Sequence, residues 1–199
     1  GEIYHATNVI LALGAERRRL GLPHEAELTG NGVHFCITCD GPLYTDKTIA
    51  VVGGGDASVK GSILAAQYAE KIYLLVRGDA LRAEPINVER MKQLGDKVEI
   101  LYQTAVAEIV AKDGKFDTII LSREHNGKTE LDVDGLFIEA GAVPNTTIAQ
   151  SLALTTDKAG YLEVNNMMQT NVPGVTAAGE IVNHFGHFKQ DITSSAMGA

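Results

Sequence analysis

No stretch of the sequence approaches the roughly 20 consecutive apolar residues that a membrane-spanning helix requires. Gly1-Glu2-Ile3-Tyr4-His5 is not the basic-then-apolar opening of a secretory signal either. The chain therefore reads as soluble and cytoplasmic, with no membrane partner expected. Positive charge is short as well: 17 Lys and Arg stand against 25 Asp and Glu, a formal net charge of -8, with an isoelectric point near 5.2. Nucleic acid and anionic membrane surfaces demand clustered cations, so neither is expected as a general partner, and any anion site has to be local. Cysteine is scarcer still. Two residues in 199 do not make a disulfide scaffold, and two placed three positions apart suit a redox or metal role better than a structural staple. Low-complexity segments and internal repeats are lacking too. With 45% hydrophobic residues and a mean hydropathy of +0.01, one or two small folded domains are expected.

Glycine, by contrast, is plentiful, with 21 residues, as a fold with many tight strand-to-helix turns requires. The apolar run Thr7 to Leu13, closed by Gly14, predicts a buried strand. Near Leu43 a clearer pattern begins. Thr48 to Val52 predicts a buried strand, Gly53-Gly54-Gly55 a turn, Asp56 to Ala69 a helix and Lys71 to Val76 the next strand, which together make a βαβ unit. A second helix is expected over Asn87 to Leu94 and a third strand over Lys97 to Tyr102. The period then changes: Val106 to Ala111, Asp117 to Arg123 and Lys128 to Val133, with the Asn126-Gly127 turn, predict an antiparallel meander. Buried strands return at Leu136 to Gly141 and at Pro173 to Gly179. Asp191 reads as the N-cap of a last helix, and both ends of the chain read as cut within a domain.

Gly53-x-Gly55-x-x-Ser58 occupies the place of a dinucleotide fingerprint, between a predicted strand and helix, with Ser58 in the third glycine position. Backbone N–H groups from Gly53, Gly54, Gly55, Asp56, Ala57 and Ser58 and the helix dipole would receive a pyrophosphate there. A glycine-rich turn without a ligand is the alternative. The second strand ends in Val76-Arg77-Gly78 with no carboxylate for a ribose 2′-hydroxyl, whereas Arg77 and Arg82 have the forked donors that suit a 2′-phosphate. NADPH is thus preferred, with NADH possible, unless the two arginines are simply solvated loop cations.

Cys36-Ile37-Thr38-Cys39-Asp40-Gly41 brings two thiols within reach of a reversible disulfide. Zinc would have to recruit histidines such as His5, His24 or His34, so no metal site is expected; a purely structural pair is the other alternative. Asp40 suits either an acid or a turn-forming residue before Gly41.

The order CxTCDG, VVGGGD, a strand ending Ala-Gly, and PGVxAAG resembles the low-molecular-weight thioredoxin reductases over nearly the whole chain. The most specific matches are Gly32 to Gly41, Arg82-Ala83-Glu84 and Gly174 to Ile181. The resemblance implies an α/β fold: a Rossmann-like three-layer (ββα) nucleotide-binding domain inserted in a split FAD-binding domain. Residues 1–42 and 145–199 would belong to the flavin domain, and 43–144 to the nucleotide domain. It also implies a homodimer in which NADPH reduces FAD, FAD reduces the Cys36–Cys39 disulfide, and the dithiol reduces a thioredoxin-like protein. Cys39 would face the flavin, Cys36 would attack the partner disulfide, and Asp40 would be the acid. Gly141, Gly179, Glu180, Lys189, Gln190 and Asp191 fall where the family meets its cofactors.

Departures from the family pattern are local. Val76 and Gly78 replace a histidine and a second arginine, which weakens the NADPH preference. Leu13 replaces a threonine, Glu180 an aspartate, and Lys189-Gln190-Asp191 an Arg-Gln-Ala near the isoalloxazine. These changes, with no N-terminal glycine motif in the sequence, lead us to expect no FAD on this chain by itself. A peroxiredoxin-reducing or glutaredoxin-linked flavoprotein, and a nucleotide-binding module with degenerate flavin chemistry, are the competing readings.

Overall fold

The computed structural model describes residues 2–186 and 188–199, apart from the side chain of residue 150. The chain falls into two compact units: Arg17–Gly141, and the segment up to Glu16 together with Ala142–Ala199.

In the first unit, five parallel strands form a sheet in the order Val33–His34, Gly135–Ile138, Thr48–Val52, Lys71–Val76, Val98–Tyr102. Side chains alternate between two cores. Ile49, Val51, Ile72, Leu74, Val76 and Phe137 point to one, with Val59 and Ala65 of helix Asp56–Ala65 and Met91 of helix Pro85–Lys92. Ala50, Leu75, Leu136 and Ile138 point to the other, with Ile109, Ile119, Leu121 and Leu131 of an antiparallel meander. Burial on both faces is why these strands read as unbroken apolar runs. The meander strands are Val106–Lys112, Lys115–His125 and Lys128–Leu131. Asn126 and Gly127 both take positive φ, 51° and 78°, as a two-residue hairpin turn requires. The layers are thus helices, parallel sheet and meander, the ββα arrangement expected.

Several limits differ from the sequence reading. The helix expected to reach Ala69 ends at Ala65: beyond it the Gln67 and Tyr68 amides donate to carbonyls three residues back, Leu64 and Ala65, at 3.0 and 2.9 Å, in a tightened turn. The helix expected from Asn87 starts at Pro85, whose fixed φ suits a first turn. The larger compact unit begins at Arg17, upstream of the first parallel strand. Leu28 and Val33 are buried in the meander-side core, and Val33–His34 joins the sheet. Glu25, only 2% exposed, ties the intervening loop together. Its carboxylate accepts from the amides of Leu20, Gly21 and Leu22 at 3.1, 2.7 and 3.3 Å.

The other unit has a short parallel pair, Val9–Leu11 with Val175–Ala177, over a core of Leu11, Ala149, Leu154, Leu162, Ala177, Ile181 and Val182. The run Thr7 to Leu13 is therefore not the buried strand expected. Only Leu11 is buried, and Ile10 is 73% exposed, in a strand with a single partner among the described residues. The final helix, Asp191–Gly198, is capped by Gln190 rather than Asp191, through a reciprocal box with Thr193.

Candidate active site: a disulfide beside a glycine turn

Strand Thr48–Val52 has Lys71–Val76 on one side and Gly135–Ile138 on the other, so strand order reverses at its carboxyl end. In open α/β sheets that reversal leaves the crevice where ligands bind. The glycine turn leaves the sheet at this point. Gly53 has φ +145°, and a Cβ on it would lie 2.5 Å from the Glu139 carbonyl oxygen. Gly55, the helix N-cap, has nothing within 4 Å of a Cβ position, and no side chain caps the helix amides. An open backbone at an uncapped helix start fits a pyrophosphate. Ser58, in the third position, is fully buried and donates its Oγ hydrogen to the Gly55 carbonyl at 2.8 Å. Asp56, expected among the nucleotide residues, accepts from the Glu84 amide at 3.0 Å and from Asn87 Nδ2 at 3.3 Å. Its side chain thereby braces the loop carrying Arg82, whose own amide donates to the Gly54 carbonyl at 2.7 Å.

Cys36 and Cys39 are joined in a disulfide, with Cα atoms 5.3 Å apart. Cys36 caps the short helix Ile37–Asp40, its sulfur accepting from the Cys39 amide at 3.2 Å. Cys36 is half-buried and Cys39 exposed. Among the described residues no cluster of His, Cys, Asp and Glu is placed to hold a metal ion.

Cys36 and the helix that follows the glycine turn line one cleft of about 310 Å³, whose walls include Arg17, Thr38, Ala57, Lys60 and Glu139. The two helices meet closely: a Cβ on Gly61 would lie 2.6 Å from Ile37 Cδ1. Glu139 was not singled out by the sequence. It takes its place because the strand ending at Ile138 delivers it beside Val52, where its amide donates to the Val52 carbonyl at 2.9 Å. Its carboxylate accepts from the Ile37 amide at 3.5 Å and faces Arg17 at 3.7 Å. Burial raises the Glu139 carboxyl above the usual range, and Arg17 and the Ile37 amide oppose the shift only in part. The folded chain therefore binds this proton more tightly than the unfolded chain. That contribution to stability is complete below the unfolded value and is lost as pH rises through the folded one. Glu139→Gln is expected to raise Tm at pH 7 and to bring no gain near pH 4 in paired thermal melts; a lower Tm at pH 7 would show that the Arg17 pair dominates.

Asp40 turns its carboxylate to the sheet. Oδ2 lies 2.9 Å from His34 Nδ1, and His34 Nε2 lies 2.8 Å from the Tyr44 hydroxyl. The sequence singled out His34 only as a zinc candidate, and Tyr44 not at all. Arg77 and Arg82 are exposed beyond strand Lys71–Val76, with no ion pair among the described residues. Gly141 has φ +92° and open space at its Cβ position.

In the other unit, Gly179 takes φ +88° and Glu180 is partly exposed. Lys189 turns inward, donating to the Val182 carbonyl and lying 4.2 Å from the centre of the Tyr161 ring. Burial lowers its pKa, against the pull of Glu180 and Asp157. Gln190 is engaged in capping the helix, and Asp191 is exposed in its first turn.

The family model for pyridine nucleotide-disulphide oxidoreductases matches residues 1–198. The chain belongs to that family. Among its relatives, thioredoxin reductase of Listeria innocua is 37% identical over 89% of this chain and 56% of its own length. That of Coxiella burnetii is 38% identical over 98% of this chain and 62% of its own length. Among solved structures, thioredoxin reductase of Lactococcus lactis superposes with a TM-score of 0.82 at 30% identity, covering 96% of this chain and 62% of that one. That of T. acidophilum gives 0.81 at 28% identity, covering 98% and 63%. This member of the oxidoreductase family therefore spans 56% to 63% of the length of these relatives and structures.

Proposed function

We propose that the chain carries the nucleotide and disulfide chemistry of a thioredoxin-reductase-type flavoprotein, in which electrons pass from NADPH through FAD to the Cys36–Cys39 disulfide and on to a thioredoxin-like protein. The observation that carries this reading is the common cleft of Cys36 and the helix that starts at the glycine turn. When bound, the nicotinamide supplies hydride equivalents and the flavin relays them as electrons to sulfur. The chain's own residues do the rest. Amides at Gly54, Gly55 and Ala57 hold the pyrophosphate, Arg77 and Arg82 pair with the 2′-phosphate, and Asp40 gives a proton to the thiolate that leaves when the disulfide opens. In the smaller unit Gly179, Glu180, Gln190 and Asp191 make up the flavin-directed set, which Lys189 supports from inside. A cytoplasmic, homodimeric setting belongs to the same proposal; it draws on the family and on the acidic composition. No described helix is long and apolar enough to cross a membrane.

Dithiothreitol should expose two thiols per chain, and mild reoxidation should remove both. Calorimetric titration should show NADPH binding more tightly than NADH by a modest margin that shrinks with salt. Arg77→Ala or Arg82→Ala should each weaken NADPH about tenfold, the loss of a charge-assisted bond of roughly 1.5 kcal/mol, and leave NADH little changed. Tighter NADH binding, or thiols that fail to pair again, overturns the reading. A module with degenerate flavin chemistry draws on the inward turn of Lys189 and the charge of Asp191; flavin titration followed at ~450 nm separates the two.

A further inference from the structure

His34 is the buried middle of a hydrogen-bonded line that begins at the redox helix and ends in the core. The residue is 3% exposed. Its ring stacks on Phe137 at a centroid distance of 5.1 Å and an angle of 23°, and meets Tyr44 edge-on at 5.3 Å. So enclosed, it has little freedom to turn. A Cβ at position 135 would lie 2.3 Å from the Tyr44 ring, so Gly135 is what leaves room for that ring. The Asp40 side chain, by contrast, is 36% exposed, next to Cys39 in the chain.

Each atom in the line has a defined part. Oδ2 accepts both in the carboxylate and in the acid whose proton sits on Oδ1, so in either form the hydrogen between Asp40 and His34 belongs to Nδ1. In the neutral ring Nε2 is then bare and accepts from the Tyr44 hydroxyl. Tyr44 is well suited to remain a donor. Burial first, then the charges of Asp40 and Asp134, push its pKa up to about 12. A second hydrogen-bond partner is what settles which nitrogen of a histidine carries the proton. Without the hydroxyl, Nε2 loses its buried partner and Asp40 is left as the one group on this line holding the ring in the form that donates to it. The other charges facing the cluster are Lys47, whose Nζ lies 5.3 Å from the Tyr44 ring centre, and Glu139 with Arg17, across the cleft at the Ile37 amide.

We propose that His34 is a positioning residue for Asp40: its Nδ1–H occupies Oδ2 and leaves Oδ1 to carry the proton to the redox sulfur, while Tyr44 keeps His34 in the tautomer that does this. The inference rests on the reading of Cys36–Cys39 as a reversible pair with Asp40 as its acid. With dithiothreitol as reductant, one of its thiolates attacks Cys36 Sγ, the Cys36–Cys39 bond breaks, and Cys39 leaves as a thiolate that Asp40 protonates. The second reagent thiol then displaces Cys36. The reagent ends as its cyclic disulfide, two electrons and two protons pass to the protein sulfurs, and Asp40 regains its proton from water.

The test is the rate of this opening from pH 6 to pH 9 in the chain as it stands, for the unmodified protein, Asp40→Asn, Tyr44→Phe, His34→Asn, and the Asp40→Asn/Tyr44→Phe double variant. Tyr44→Phe removes one hydroxyl and keeps the ring packing, so it remains informative where His34→Asn does not fold. Tyr44→Phe is expected to slow opening about tenfold and to flatten the pH profile as Asp40→Asn does, and the double variant to be no slower than Asp40→Asn by itself. Two thiols per chain should still be counted in every variant. A Tyr44→Phe profile that follows the unmodified protein while Asp40→Asn departs from it overturns the positioning role and leaves the acid intact. Multiplicative losses in the double variant overturn it as well. An Asp40→Asn profile identical to the unmodified one removes the acid itself, and the inference with it.

Discussion

Gly53→Ala should lower stability by about 2–6 kcal/mol in urea titrations, adding backbone strain to a collision that has no side-chain escape. At φ +145° an alanine leaves its ordinary conformations, and its Cβ would meet the Glu139 carbonyl oxygen at 2.5 Å and Ser58 Cβ at 2.9 Å. The first contact is with backbone of the neighbouring strand, so relief requires the sheet to part at the switch point. Gly55→Ala supplies the contrast. Its φ is -99° and no atom lies within 4 Å of the new Cβ, so the loss should stay near ~1 kcal/mol, as for an N-cap change. The same methyl would stand where a pyrophosphate approaches the helix start. NADPH affinity should therefore fall in Gly55→Ala while the fold persists, and both should fall together in Gly53→Ala. Equal stabilities for the two variants would refute this division of the turn.

Phe137→Ala is expected to cost about 3–5 kcal/mol, the range for removing a large buried ring. Phe137 is wholly buried in the interior strand Gly135–Ile138, packed against His34 at 5.1 Å and Tyr44 at 5.2 Å. Both neighbours are tied by hydrogen bonds, so they are poorly placed to collapse into the space. Denaturant unfolding measures the loss. A value under about 1.5 kcal/mol would mean that the core closes over the hole, and the two rings would then have moved. Phe137→Leu, which keeps most of the volume, should recover more than half of the loss.

Local pattern made the helix-bearing half of the larger unit legible. Val51, Val52, the three glycines and the run Lys71 to Val76 stand in one βαβ stretch, and the Asn126-Gly127 turn marked a hairpin by its chemistry alone. The spacing of Cys36 and Cys39 put a disulfide within reach, with zinc as an alternative, and the structure joins the two sulfurs. What was not legible depends on contacts across the sheet. Glu139 reaches the redox helix from a residue 102 positions away. His34 and Tyr44 become partners only because Phe137 and Gly135 arrive beside them from the strand that closes the switch point. The sequence pointed to the Asp56 amide at the helix start; that its carboxylate accepts from the Glu84 amide and Asn87 was not visible in local pattern. Ile10 misled in the opposite direction: an apolar run implies burial only where a neighbour covers it, and at 73% exposure Ile10 lacks one among the described residues.

The hydrogen bond from the Arg18 amide to the Gly141 carbonyl, 2.9 Å long, joins the first and last turns of the larger unit. Chain enters and leaves that unit at one spot. Spliced into a surface turn of an unrelated host, it would ask the host to bridge only the width of two neighbouring strands, the geometry in which domain insertion is best tolerated. Cys36, Cys39, Asp40, His34 and the glycine turn all lie within that stretch, so the whole candidate site of the larger unit would move with the graft.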